Sequence, residues 1–136
     1  MRHSLAGDVM WLCLHPNRAA GEKEHKEARS YLLRRFAELG LVPYVGESYE
    51  LPYGERHGRF VNVVGVAPGV AAGQGAPVLI GAHYDTCATT PGADDNAAAV
   101  AIALEVARRL LAAPASRPVA AGLSGAEEPP YFLGSE

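Results

Sequence analysis

Apolar positions recur at helical spacing through the first third of the chain and gather into runs or alternation after it. Leu5, Val9 and Leu12 share one helical face, and Ser4 precedes them as a capping hydroxyl, which predicts a first amphipathic helix. "HPNRAAGE" is a polar break. The clearest helix spans 22–39: Ala28, Leu32, Phe36 and Leu39 form its apolar stripe, acidic residues occupy its first turn, and Gly40 stops it. "LVPYVGESYEL" and "RFVNVVGVA" predict two strands around the turn "PYGERHG", followed by a surface loop, "PGVAAGQGAP". "PVLIGAHYD" is a continuous apolar run, the pattern of a central strand buried on both faces. Residues 97–113 predict a helix whose first two turns are almost wholly apolar, so that its N-terminal part belongs in the core. "RPVAAGLSG" predicts a fourth strand leading directly into "AEEPPYFLGSE".

Helices that precede and then alternate with strands make the class α/β, with a largely central sheet. The strand–helix–strand unit over 77–125 is a right-handed crossover if its strands are parallel. "HYD" and "AEE" then fall at the carboxyl ends of neighbouring strands, where open α/β sheets place their ligand sites.

With 136 residues, 49% of them hydrophobic, the chain is one domain's worth of globular protein. A net charge of -3 gives no reason to expect nucleic acid or an anionic membrane as partner. "EKEHKEAR" and the two "RR" pairs read as solvated helix faces. Cys13 and Cys87 lie far apart without paired spacing, which predicts buried free thiols rather than a disulfide or a cysteine-only zinc site. Asp8 interrupts the apolar stretch near the N-terminus, so the stretch reads as a helix and not as a signal peptide. No apolar run approaches the roughly 20 residues that span a bilayer. Together these features predict a soluble, cytoplasmic protein.

The candidate chemistry sits in "GAHYDTCATTPGADDN". His83 and Asp85 are two residues apart and point the same way on an extended strand; Asp95 follows in a Pro-Gly loop that can fold back over the strand end. Imidazole with carboxylate suits zinc, with manganese or cobalt as substitutes. Asp85 is placed to orient a metal-bound His83. Asp94, Asp95 and Asn96 can alternatively cap the helix that follows, but one cap needs one such residue and here there are three. Glu127 and Glu128 are adjacent, so their side chains diverge at a strand end and can take different tasks, one as ligand and one as proton acceptor. An exposed acidic turn before "PP" is the competing reading; the apolar strand in front of the pair, leading to the same sheet edge as His83, argues against it.

"NVVGVAPG", "VLIGAHYDT", "PGADDNAAAVAIALEVARRL" and "GAEEP", over 62–128, resemble the zinc aminopeptidases of the aminopeptidase Y and aminopeptidase S type, a family that also contains glutaminyl cyclases. The resemblance implies a three-layer α/β/α fold with a mixed, mostly central sheet. It also implies two zinc ions sharing one aspartate, and removal of N-terminal residues from peptides. By position, His83 matches the ligand of one zinc, Asp95 the bridging aspartate and Glu128 a ligand of the other zinc. Glu127 matches the general base and Asp85 the carboxylate that orients His83, while Asp94 matches no ligand. The family's cis peptide falls at Asp95-Asn96. The family pattern adds an aspartate and a histidine downstream; beyond Glu128 this chain has only Glu136 as an acid and no histidine. Residues 1–136 thus resemble the N-terminal half of a catalytic domain. The expected partner is a peptide with a free N-terminus, together with self-association through an exposed sheet edge. A glutaminyl cyclase-type acyltransferase using one zinc and a non-catalytic peptidase-like module are the alternatives.

Overall fold

The computed structural model describes residues 3–54, 60–69 and 76–134. Helices α1 (Leu5–Leu12), α2 (Lys23–Leu39) and α3 (Ala99–Ala112) combine with strands β1 (Val42–Pro43), β2 (Glu50–Tyr53), β3 (Phe60–Ala67), β4 (Val78–His83) and β5 (Val119–Ser124). The strands form one mixed sheet in the order β1-β3-β5-β4, with β2 also paired to β3. The pairs of β3 are antiparallel, whereas β4 and β5 run parallel, with His83 opposite Ser124. This is the expected α/β class with a mixed sheet.

Local chemistry sets the helix ends. Ser4 Oγ accepts from the Gly7 amide at 3.1 Å and starts α1. Gly40, at φ 83°, takes the left-handed conformation that closes α2, and its amide donates to the carbonyls of Phe36 and Ala37. Ala97, Val100, Ala101, Ala103 and Leu104 are buried, so the small apolar residues leading into α3 do face the core.

The core joins Leu32 and Phe36 of α2, Val100 and Leu104 of α3, and Val63, Ala121 and Leu123 of the sheet. These sheet residues share one face, because strand side chains alternate. The opposite face presents Val64, Leu79, Gly81 and Gly122, which line an open cleft of about 510 Å³.

Several expectations are corrected. The run at 77–85 was expected to be buried on both faces, yet Val78 and Leu79 are 45% and 67% exposed. Among the described residues β4 pairs only with β5, and an apolar run reports a wish for burial without naming what covers it. The expected strand over 41–51 is two short strands, split by a turn that carries Gly46 at φ 66° and the Val45–Ser48 bridge. The turn expected over 52–58 begins inside β2 and continues outside the described residues, as does most of the loop expected over 68–77.

The expected solvated faces are also interrupted. Arg35 and His25 are buried. Arg35 Nε donates to Asp8 Oδ1 at 2.8 Å, and the Tyr31 hydroxyl donates to the same oxygen, so the acid that breaks the first apolar stretch fastens α1 to α2. No helix among the described residues is long and apolar enough to cross a membrane.

Candidate metal centre

Because β4 and β5 are parallel and in register, the segments that leave them emerge side by side. The Tyr84 amide extends the ladder by donating to Ser124 O at 2.9 Å. Tyr84 is fully buried, donates its hydroxyl to Val61 O at 2.6 Å and stacks on His25 with ring centroids 4.9 Å apart. At Gly125 an added Cβ would lie 2.6 Å from both the Tyr84 hydroxyl and Val61 O, so only glycine lets the chain after β5 pass this close. His25 Nε2 lies 2.7 Å from Gly125 O, and burial holds the pKa of this histidine below its usual value.

The two acidic clusters are joined directly. The Glu128 amide donates to Asp85 Oδ2 at 2.9 Å. Asp85 is fully buried; its other carboxylate oxygen is 3.3 Å from His83 Nδ1. Burial pushes the Asp85 pKa up, but His83 and the amides of Glu128 and Glu127 outweigh it and hold the carboxyl below its ordinary range. The same contact with Asp85 raises the His83 pKa, against the opposing effect of burial. With Nδ1 turned to Asp85, the histidine presents Nε2 outward.

Asp95 meets that nitrogen from the loop after β4. The turn Ala93–Ala98 departs from helical dihedrals at Asp95 (φ -113°, ψ 88°) and Asn96 (φ -137°, ψ 33°), and the Asp95-Asn96 peptide is cis, as the resemblance implied. Asp95 Oδ1 lies 3.1 Å from His83 Nε2, and Glu128 Oε1 lies 3.9 Å from it. One donor atom from each of His83, Asp95 and Glu128 falls within 4.8 Å of the others. Tetrahedral zinc with bonds of about 2.0–2.1 Å separates its ligand atoms by roughly 3.3–3.4 Å, and the two separations from His83 Nε2 bracket that value, so these residues form a candidate partial ligand set for zinc. The competing role is not taken up: no side chain caps the turn at 93–98 or α3, and Asp94 is exposed and outside the converging set.

Glu127 diverges from Glu128, as adjacency requires, and lines the cleft together with His83, Asn96 and Ser124. The site therefore brings together His83, Asp85, Asp95 and Glu128 by direct contact and sets Glu127 at the adjoining wall.

Two contributors were not legible in the sequence. Cys87 is free, as expected, but half-exposed rather than buried, and so is Cys13. The Cys87 thiol donates to Glu128 Oε2 at 2.9 Å, which raises its pKa. A single cysteine without paired spacing gives no sign of such a contact. Arg18, in the polar break after α1, is buried beneath the loop after β4 and donates to its carbonyls.

A mixed sheet with histidine and carboxylates converging at the ends of two parallel strands defines a candidate metallohydrolase. Residues 62–136 match the sequence profile of Peptidase family M28, and the chain belongs to that family. Over 70 residues it is 41% identical to the uncharacterised protein YfbL of Escherichia coli (strain K12), a match covering 46% of this chain and 22% of YfbL. Its fold is similar to a Zn-dependent exopeptidase from Parabacteroides distasonis, with TM-score 0.70, 18% identity, and coverage of 97% of this chain and 48% of that one. It is equally similar to a Porphyromonas gingivalis glutaminyl cyclase, with TM-score 0.72, 20% identity, and coverage of 97% and 50%. The chain thus spans about half the length of these structures and less than a quarter of YfbL.

Proposed function

We propose that this chain carries the first half of the catalytic domain of a zinc aminopeptidase, which removes residues from the free N-terminus of peptides. The observation that carries the reading is the convergence of His83, Asp95 and Glu128 beside a cleft that Glu127 lines. When bound, zinc supplies Lewis acidity, which polarises a carbonyl and lets water lose a proton near neutral pH. In this reading His83 Nε2 would hold one zinc ion and Glu128 the other, with Asp95 shared between them. Asp85 fixes the imaginable orientations of the His83 ring to one, through Nδ1. The Glu127 carboxylate accepts the proton of the attacking water and returns it to the leaving amine. The exposed Asp94 carboxylate, outside the converging set, adds negative charge at the rim that favours a protonated N-terminus. The two free thiols support a reducing, cytoplasmic setting.

A glutaminyl cyclase is the second reading, favoured by the fold likeness and by a donor set compact enough for a single ion. The test is a chain completed with the second half of a family relative, assayed for zinc content, for hydrolysis of aminoacyl-nitroanilides and for cyclisation of N-terminal glutamine. Hydrolysis is the expected result. Cyclisation without hydrolysis would move the assignment to the cyclases, and bound zinc with neither activity would favour a non-catalytic module.

We further propose that copies of the 136-residue chain self-associate along β4, an edge strand among the described residues whose Val78 and Leu79 side chains are exposed. Light scattering after size exclusion should give more than the monomer mass, and Leu79→Lys should shift the population towards monomer. A monodisperse monomer for the parent chain would refute this.

A further inference from the structure

We propose that Arg18 is a positioning residue for the metal centre: its buried guanidinium locks the segment leaving β4 to the segment that delivers Asp95, and so sets the spacing between His83 and Asp95. The inference rests on reading these residues as ligands. Arg18 is 1% exposed. Its Nε donates to Tyr84 O at 2.9 Å, one residue beyond His83. Its Nη1 donates to Leu12 O at 2.7 Å and to Pro91 O, and its Nη2 approaches Gly92 O at 3.4 Å. The main chain adds to the same clamp, since the Arg18 amide donates to Thr86 Oγ1 at 2.7 Å and the Thr86 amide returns to Arg18 O at 3.3 Å.

The partners of this fork bracket the site. Tyr84 and Thr86 flank Asp85, and Pro91 and Gly92 lead into the turn that holds Asp95. Gly92 O also accepts from the Ala97 amide at 2.9 Å, so the oxygen that Arg18 approaches is the one that closes the turn. Gly92 sits at φ 62°, and an added Cβ there would lie 2.4 Å from both Asp95 O and Thr86 Cγ2. The two segments are therefore in contact, with little room to shift.

A guanidinium is a costly way to fill a core. Every side-chain hydrogen bond given above ends on a main-chain carbonyl, and none ends on a carboxylate. Burial lowers the Arg18 pKa, with Cys13 and then Asp85 opposing it. The buried Asp85 carboxylate is thus an opposite charge acting on Arg18. What the guanidinium supplies, and no apolar side chain or lysine can, is a rigid planar fork with five donors for carbonyls that arrive from three segments.

The test compares Arg18→Met, Arg18→Lys and, as a control for lost stability, the core variant Phe36→Leu. All are made in the 136-residue chain and compared at equal folded fraction. Cobalt(II) titration followed by visible absorption reads the metal site, and hydrogen exchange of the amides over 84–97 reads the clamp without metal. Arg18→Met should weaken cobalt binding by about 10–100-fold, the loss typical when a group supporting a ligand is removed. It should also speed exchange over 84–97, while Phe36→Leu does neither and Arg18→Lys falls between. Parent-like cobalt affinity in Arg18→Met, or a loss equal to that of Phe36→Leu, would overturn the proposal. Should Arg18→Met not fold, Arg18→Lys decides in the same way: reduced affinity supports the clamp and unchanged affinity overturns it. If the parent binds no cobalt, the exchange comparison alone decides whether Arg18 holds the two segments together, and the cobalt titration is repeated in the chain completed with the second half of a family relative.

Discussion

Asp95→Ala should cost the 136-residue chain at least about 100-fold in zinc or cobalt affinity, since losing a supporting group already costs about 10–100-fold and Asp95 is read as a ligand. Its side chain is 71% exposed, so little packing is lost with it. The fold should therefore survive, and isothermal titration of a well-folded variant reads the ligand alone. His83→Ala should lose metal as well, whereas Asp94→Ala should be much milder because Asp94 lies outside the converging set. Equal losses at Asp94 and Asp95 would point to general electrostatic attraction instead of coordination.

The same titration has a pH signature whose sign is fixed by His83. A proton must leave Nε2 before that nitrogen can hold metal, and because contact with Asp85 raises the His83 pKa, affinity should fall by about tenfold per unit below it. For the metal-free chain the linkage runs the other way. Protonated His83 stabilises the fold fully below its ordinary value of 6.5, and that contribution disappears as pH rises through the raised folded value. Asp85, with its lowered pKa, contributes above its ordinary value of 3.8 and loses the contribution as pH falls through the depressed one. Metal should thus be most stabilising on the alkaline side of the His83 titration, where the metal-free site is weakest.

What could be read from the sequence is what local spacing controls. The Ser4 cap, the Gly40 stop and the two-residue separation of His83 and Asp85 each depend on a few neighbouring residues, and each is found in place. The joining of the two clusters follows from the parallel pairing of β4 with β5, which the strand–helix–strand order allowed but did not require. The approach of Asp95 is different in kind. The Pro-Gly loop allowed Asp95 to fold back, but the non-helical dihedrals that aim it at His83 leave no local signal, and only the family resemblance singled out the Asp95-Asn96 peptide. Arg18 and Cys87 stayed hidden because their partners beside the site lie 66 to 74 and 41 residues away, and Arg18 speaks to carbonyls, which carry no sequence signal. The exposure of Leu79 was misread for a related reason: hydrophobic pattern records what a side chain prefers, and the neighbours that satisfy it are set by topology.

Glu127→Gln, in a chain completed with the second half of a family relative, should lower the rate of aminoacyl-nitroanilide hydrolysis by about 10²–10⁴-fold and leave zinc content unchanged. The substitution keeps the size and shape of the side chain and removes its capacity to accept a proton. Glu127 lines the cleft beside His83 but is outside the set of converging donor atoms, so metal retention is the discriminating half of the result. Glu128→Gln should give the opposite pattern, losing metal first, because Glu128 stands 3.9 Å from His83 Nε2 and in the converging set. It should also disturb Cys87, whose thiol rests on the Glu128 carboxylate. Residual turnover in Glu127→Gln should be small but above zero, since positioning and Lewis acidity remain when the base is gone. If Glu127→Gln instead lost zinc while Glu128→Gln kept it, the two glutamates would exchange roles, and the division of labour between adjacent carboxylates proposed for this site would be wrong.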